Sequence, residues 1–387
     1  MGGSSFTAGE ESVTLDFANA EITKNDESIE LSDLAEGDIL TVEVGSSNTA
    51  ASATVESVGG GQSFGGSGEV TQGTAATTIS EDGTYSGESY TSTGDDENAL
   101  RVDGAAVTLD GVTVDKSAGA ASNTEDGDFY GMNAALLAMN GATVTIKNAT
   151  VPSSAQNGNG VFSYGGGTTV NISDSTITTT ADNSGGIQTT GGGTTSASNL
   201  VVETSSNSSA AIRSDRGGGT VNVSGGAYTS NGYNSPAVYS TADITVKNAN
   251  LTVNNSEALV IEGKNSITLE DCYATGNMSD TKGTSSSENV HNVMIYQSMS
   301  GDADVGTSVF SMTGGSLVGS SGDMFYITNT RCLMTLSGVN IVDNDADGAL
   351  LRVVSNSASR GWGTAGNNGT INFNGYTITL ADGTVLK

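Results

Sequence analysis

The sequence predicts an all-β chain wound as a parallel β-solenoid (a parallel β-helix) of about ten coils, and three observations carry that reading. A phrase of the form apolar-x-apolar-x-(Gly/Asn/Asp) returns ten times along 387 residues. Its first half reads Val107-Thr-Leu109-Asp-Gly111, Val144-Thr-Ile146-Lys-Asn148, Val170-Asn-Ile172-Ser-Asp174, Thr195-Ser-Ala197-Ser-Asn199 and Val221-Asn-Val223-Ser-Gly225. It continues as Ile244-Thr-Val246-Lys-Asn248, Ile267-Thr-Leu269-Glu-Asp271, Phe310-Ser-Met312-Thr-Gly314, Met334-Thr-Leu336-Ser-Gly338 and Ile371-Asn-Phe373-Asn-Gly375. The middle copies lie 26, 25, 26, 23 and 23 residues apart, a period typical of stacked repeats. Within the phrase the apolar residues alternate with period two, so the unit is a strand and not a helix. The fifth position is only ever Gly, Asn or Asp. These residues enter the left-handed region at least cost, so the column marks a one-residue corner between two strands.

Taken in order, residues 1–58 lack the phrase. Val13-Thr-Leu15-Asp-Phe17, Ile39-Leu-Thr-Val42-Glu-Val44 and Ala53-Thr-Val55 alternate like strands of a small antiparallel unit. That unit is either a separate module or a cap over the end of the solenoid, where core and strand edges would otherwise be open. Residues 59–75 begin Gly59-Gly-Gly-Gln-Ser-Phe-Gly-Gly-Ser-Gly68 and have the composition of a flexible linker. From 76 to 387 each coil is expected to hold three strands. The first carries an inward apolar residue, as at Leu100, Val161, Ile187, Ile212, Val238 and Leu259. The phrase is the second strand. The third is marked by Val114, Val151, Ile177, Val202, Tyr228, Leu251, Ala274, Leu317, Ile341 and Ile378, each three residues past a corner. Insertions at 116–133 and 274–292, and an excursion at 355–368 that carries the only tryptophan, Trp362, break the pitch. Loops on a rigid scaffold are where specificity is expected to sit.

With an Asn-rich corner column between second and third strands, the chain resembles the right-handed, pectate-lyase-like β-helix superfamily over residues 76–387. The resemblance implies a right-handed coil. For function it implies little, since this architecture hosts lyases, hydrolases, adhesins and phage fibres. The stretches Met294-Ile-Tyr-Gln-Ser-Met-Ser-Gly301 and Asn356-Ser-Ala-Ser-Arg-Gly-Trp-Gly363 resemble those of secreted bacterial β-helix proteins of adhesin-like or carbohydrate-binding type. That likeness implies an extracellular or cell-surface setting and a glycan or other surface polymer as partner.

Charge narrows the partners. Forty-three acidic against thirteen basic residues give a net charge of −30, which repels nucleic acid and anionic membrane surfaces. No run of eighteen apolar residues is present, so no spanning helix is expected. The start, Met1-Gly-Gly-Ser-Ser, has no apolar signal segment and reads either as a cytosolic protein or as a mature chain whose signal is missing, the second favoured by the acidic, Ser- and Thr-rich solenoid composition. Cys272 and Cys332 fall in different columns with a coil between them, too far apart for a disulfide, and are expected as small buried hydrophobes. Oligomeric state is not legible.

Candidate functional residues fall in three groups. On the first strand the outward position carries Arg101, Leu137, Phe162, Gln188, Arg213, Tyr239, Val260, Met294, Tyr326 and Leu351. If exposed, this aromatic and cationic stripe would suit sugar rings, with Phe162, Gln188, Arg213, Tyr239 and Tyr326 as the binding residues; if covered, it is a second, minor core. Carboxylates lie two residues further on at Asp215 and Glu262, two coils apart, at the upper edge of the separation an inverting glycosidase uses. They are the catalytic alternative, although neither the clustered acids nor the base of the superfamily's hydrolases and lyases is intact. Asp343-Asn-Asp345-Ala-Asp347-Gly348 matches the first half of a calcium loop but has Val354 where the closing Glu belongs. A structural calcium there is the one cofactor the sequence offers. His291 lacks partners for a triad or metal site and is expected at the surface. Binding of a glycan is the leading expectation, with polysaccharide lyase or hydrolase activity and a passive stalk as rivals.

Overall fold

The computed structural model describes residues 70–279, 290–298, 302–354, 368–380 and 383–387, together with 16–57 apart from 19, 25–26, 30, 32–38 and 45–48. Val13, Leu15, most of the Gly-rich linker and Trp362 lie outside the described residues.

Three long sheets run the length of a parallel β-helix solenoid. The first extends from Thr74–Ile79 to Leu351–Val354, the second from Gly83–Ser86 to Asn368–Phe373, the third from Ser89–Ser92 to Asn340–Asp343. Each strand pairs in parallel with its equivalent one coil on, as in Val144↔Val170 and Val170↔Thr195. The third sheet holds ten strands, one per complete coil. One coil escaped the sequence pattern. Gly83–Ser86 pairs with the strand of Val107, but Gly83 stands where the apolar residue is expected.

The corner column is left-handed from Gly111 through Gly338, with Asn148 at φ 53°, Asn199 at 53°, Asn248 at 52° and Asp271 at 49°. Interstrand bonding continues through the bend: the Asn148 amide donates to Ser173 O at 3.2 Å and the Asn248 amide to Glu270 O at 2.9 Å. Inward residues of all three sheets merge into one core from Ile79 to Ile371. Ser163, Thr189, Ser214 and Ser240 form a polar file inside it, each fully buried. Their hydroxyls are satisfied, Thr189 by Thr195 at 2.7 Å and Ser240 by Ala242 O at 2.8 Å, as buried polar groups require.

The last copy of the phrase departs from expectation. Asn374 (φ 47°) and Gly375 (φ 87°) are both left-handed, and two such residues in succession reverse a chain rather than bend it. Ile378 therefore pairs antiparallel with Ile371 instead of starting a third strand. Val385–Leu386 also runs antiparallel, against Leu351–Val354. The N-terminal unit is a four-stranded sheet in the order Glu27–Ile29, Glu21–Lys24, Ala50–Ser57, Ile39–Val44. It is mixed rather than purely antiparallel. Its central pair is parallel and sets Ile22 beside Ala53, both buried.

Candidate functional site

The insertion at 116–133 is not an extended loop. It folds one short helix, α1 (Thr124–Tyr130), started by the Asn123 side chain, which accepts from the amides of Glu125 and Asp126, and stopped by Gly131 at φ 82°. α1 lies over the outward stripe of the first sheet. A side chain on Gly131 would come within 2.6 Å of Leu137 and 3.1 Å of Phe162. Gln188 Nε2 donates to Asp128 O at 2.7 Å, and Thr190 Oγ1 to Phe129 O at 2.5 Å.

The stripe itself is one unbroken register from Arg101 through Leu137, Phe162, Gln188, Arg213, Tyr239, Val260 and Met294 to Tyr326. Its next member is Arg352. Leu351 pairs with inward Phe325, a one-residue correction to the sequence register. Phe162, Gln188 and Tyr326 are fully buried. Leu137 and Phe162 make one satellite cluster with Ala134, and Val260, Met294, Tyr296 and Tyr326 make another, against which Tyr239 packs. Over those rungs the stripe is a second core.

Between the two clusters the cover opens. A cleft of about 230 Å³ is lined on this strand face by Arg213 and Tyr239. Helix α1 contributes Asp128 and Phe129, and the first-sheet segments contribute Asp215, Glu257, Val260 and Tyr296. Asp302 comes from beyond the Tyr296 strand, and the turns that precede each first strand give Asn183, Ser208 and Asn234. These turns form a second left-handed column, with Asn157, Asn183, Ser208 and Asn234 at φ 51–56°.

Charges in the cleft are tightly paired. Arg213 Nη2 sits 2.9 Å from Asp128 Oδ2 and 2.8 Å from Asp215 Oδ2. Asp128 also accepts from Asn157 Nδ2 at 3.0 Å and Asn183 Nδ2 at 3.1 Å. Burial works against the charged guanidinium, but the flanking Asp128 and Asp215 carboxylates outweigh it and hold the Arg213 pKa above its ordinary value. For Asp215 burial dominates: it pushes the carboxyl well above the usual range, with Arg213 opposing and Asp128 adding to the rise. Arg216 donates from Nε and Nη2 to Asp302 Oδ1, at 3.2 and 2.9 Å, and its guanidinium stands 4.0 Å over the Phe129 ring. It thereby clasps two segments that sequence separates widely.

Glu262 is not part of the cleft lining. Tyr239 Oη at 2.5 Å and Tyr296 Oη at 2.8 Å donate to its Oε2, and Ser298 Oγ donates to Oε1. Burial raises its pKa, with those hydroxyls opposing. Of the two expected carboxylates, only Asp215 therefore faces the cleft. His291 is buried, not at the surface, in the strand His291–Tyr296. It stacks on Tyr326 with ring centroids 4.9 Å apart and meets Glu257 at 3.3 Å.

Asp343, Asp345 and Asp347 form a capped turn. Asp343 Oδ1 accepts from the Asp345 amide, Asp345 Oδ1 from the Asp347 amide, and Asp345 Oδ2 from the Gly322 amide. Among the described residues no group of three His, Cys, Asp or Glu is placed to hold a metal ion. Cys272 and Cys332 are buried free thiols. No described helix is long and apolar enough to cross a membrane.

Sequence reasoning missed Phe129, Glu257 and Asp302, and offered Asp128 only within Glu125-Asp126-Gly-Asp128, as a weaker cation candidate than the Asp343 turn. A signal existed for the turn column. Asn157-Gly, Asn183-Ser, Ser208-Ser and Asn234-Ser each stand four residues before the inward Val161, Ile187, Ile212 and Val238. For Asp128 and Asp302, only the fold brings insertion and cleft together. In comparisons with protein-family models, curated proteins and solved structures, the chain finds no match. Membership of the pectate-lyase-like superfamily has no support beyond the shared solenoid architecture.

Proposed function

We propose that the chain is a secreted or cell-surface binding protein, adhesin-like in role, that recognises a glycan or similar surface polymer. One observation carries the reading. At Arg213 and Tyr239 the stripe, buried over the rungs on either side, opens into a cleft that combines aromatic rings with fixed hydrogen-bonding groups. Tyr239, Tyr296 and Phe129 supply ring faces, while the turn-column Asn183 and Asn234 supply amides, the mixture that sugar rings require. Phe162, Gln188 and Tyr326 support the cleft from beneath their covers rather than contacting ligand. The acidic, Ser-, Thr- and Gly-rich composition supports an extracellular setting.

A hydrolase is the second reading, favoured by Asp215, a cleft carboxyl whose pKa burial pushes above the usual range, the direction a general acid needs. A glycan array run beside turnover assays on the same polysaccharides, with calcium and with chelator, tests both. Saturable binding without turnover supports recognition. Turnover abolished by Asp215→Asn replaces it with the hydrolase. Neither binding nor turnover leaves the passive stalk. A rise in melting midpoint at millimolar calcium would assign a structural ion to Asp343, Asp345 and Asp347, where a cation would have to compete with three backbone amides.

A further inference from the structure

We infer that buried Glu262 sets the specificity of the cleft: it holds the Tyr239 proton, leaves the phenol oxygen able only to accept, and so selects a sugar ring with a free hydroxyl there. The inference rests on the recognition reading above and names the ligand chemistry for it. Glu262 is 1% exposed, lies outside the cleft lining and meets no cation among the described residues. Burial raises its pKa, and the Asp302 carboxylate, a neighbour of the same sign, adds to the rise. A carboxylate so placed weakens a fold, and an apolar side chain of similar size would sit there at less cost. Groups of that kind gather at functional sites. Its partners show where its influence goes. Tyr239 and Tyr296 stand on the rungs before and after it. Both line the cleft, and both give their hydroxyl protons to the same Glu262 Oε2, at 2.5 and 2.8 Å.

A phenol carries a single proton. With that proton held by Glu262, the Tyr239 oxygen keeps only lone pairs, and no second bond to it forms among the described residues. Donation to a buried carboxylate also makes the oxygen a stronger acceptor, because bonds in a chain polarise one another. Asn183 repeats the pattern from the turn column. Its Nδ2 donates to Asp128 Oδ2 at 3.1 Å, which leaves its amide oxygen to accept. A ligand that satisfies both residues must therefore donate at both, as two free hydroxyls of one sugar ring do. A methyl ether, an acyl ester or a uronate carboxylate would set acceptor against acceptor and leave both unpaired.

The test titrates the full chain with glucose, galactose, mannose and xylose, by calorimetry or by chemical shift, then with the deoxyfluoro and O-methyl derivatives of the tightest binder. At one ring position the derivative should bind about tenfold more weakly than the sugar, the loss of one charge-assisted hydrogen bond. Tyr239→Phe keeps the ring and should shrink that margin to about twofold. Glu262→Gln keeps the shape, but its amide donates where the carboxylate accepted. It should weaken the sugar about tenfold and leave the derivative as it was, a split that a merely supporting Glu262 does not produce. Melting curves accompany both variants; if Glu262→Gln melts below the parent, Tyr239→Phe decides. Sugar binding with every derivative tolerated overturns the inference and leaves glycan recognition standing. So does a Glu262→Gln variant that binds and discriminates like the parent, or a folded one that loses sugar and derivative alike. No binding of any of these sugars at tens of millimolar overturns both readings together.

Discussion

Arg213 shows how far a residue's role depends on its cover. Its sequence position predicts an outward guanidinium, removable without harm to the fold. In the structure it is 8% exposed and holds two carboxylates. Arg213→Ala would leave Asp128 and Asp215 facing each other unpaired, a loss of about 3–5 kcal/mol, to be read as a lower urea midpoint. A binding test should therefore leave Arg213 in place. Glu262 behaves differently with pH. Its folded pKa lies above the ordinary 4.5 because burial disfavours the charge. Its contribution is then present in acid and is lost as pH rises through the folded value. Glu262→Gln keeps the shape and removes that loss, so the variant should melt higher than the parent at pH 8, with the difference closing towards pH 4. An unchanged difference between the two pH values would mean that the three hydroxyls balance burial, and a reversed trend that they outweigh it.

At the scale of the element, the corner column and the inserted helix make opposite lessons. A corner is set by one residue's backbone energetics, which sequence displays directly. Asn248→Val puts a β-branched side chain at φ 52° and should cost about 1–2 kcal/mol, measured by chemical denaturation. Nine of the ten repeat corners were legible for that reason. The tenth was not, because Asn374-Gly375 has the composition of a corner and of a hairpin alike, and only the second left-handed residue decides. Register was legible where apolar residues alternate, and slipped by one at Leu351 and Arg352, where both neighbours have long side chains. Helix α1 was hidden because seven residues give no apolar period. Its Phe129 and the Asp128 carboxylate reach their partners through tertiary contact alone. The centre of the candidate site, Arg213 and Tyr239, could be read from the stripe, but its walls could not.

Over the whole molecule, coils repeat contacts between nearest neighbours, and the net charge of −30 acts on all of them at once. Self-repulsion of that size opposes compaction and is screened within ~10 Å at 0.1 M salt. The melting midpoint should therefore climb between 10 mM and 0.3 M sodium chloride, and a flat response would show the acids to be locally compensated. The ladder has a mechanical consequence as well. Its strands lie across the solenoid, so their hydrogen bonds point along the axis. Tension applied end to end loads one rung at a time, like opening a zip, rather than shearing all rungs together. Each opened coil pays out the 23–26 residues of the regular period, about 80–90 Å of contour at ~3.4 Å per residue. Under pull such a protein lengthens in near-equal steps at modest force, absorbing load the way a coiled tether does and not the way a strut does.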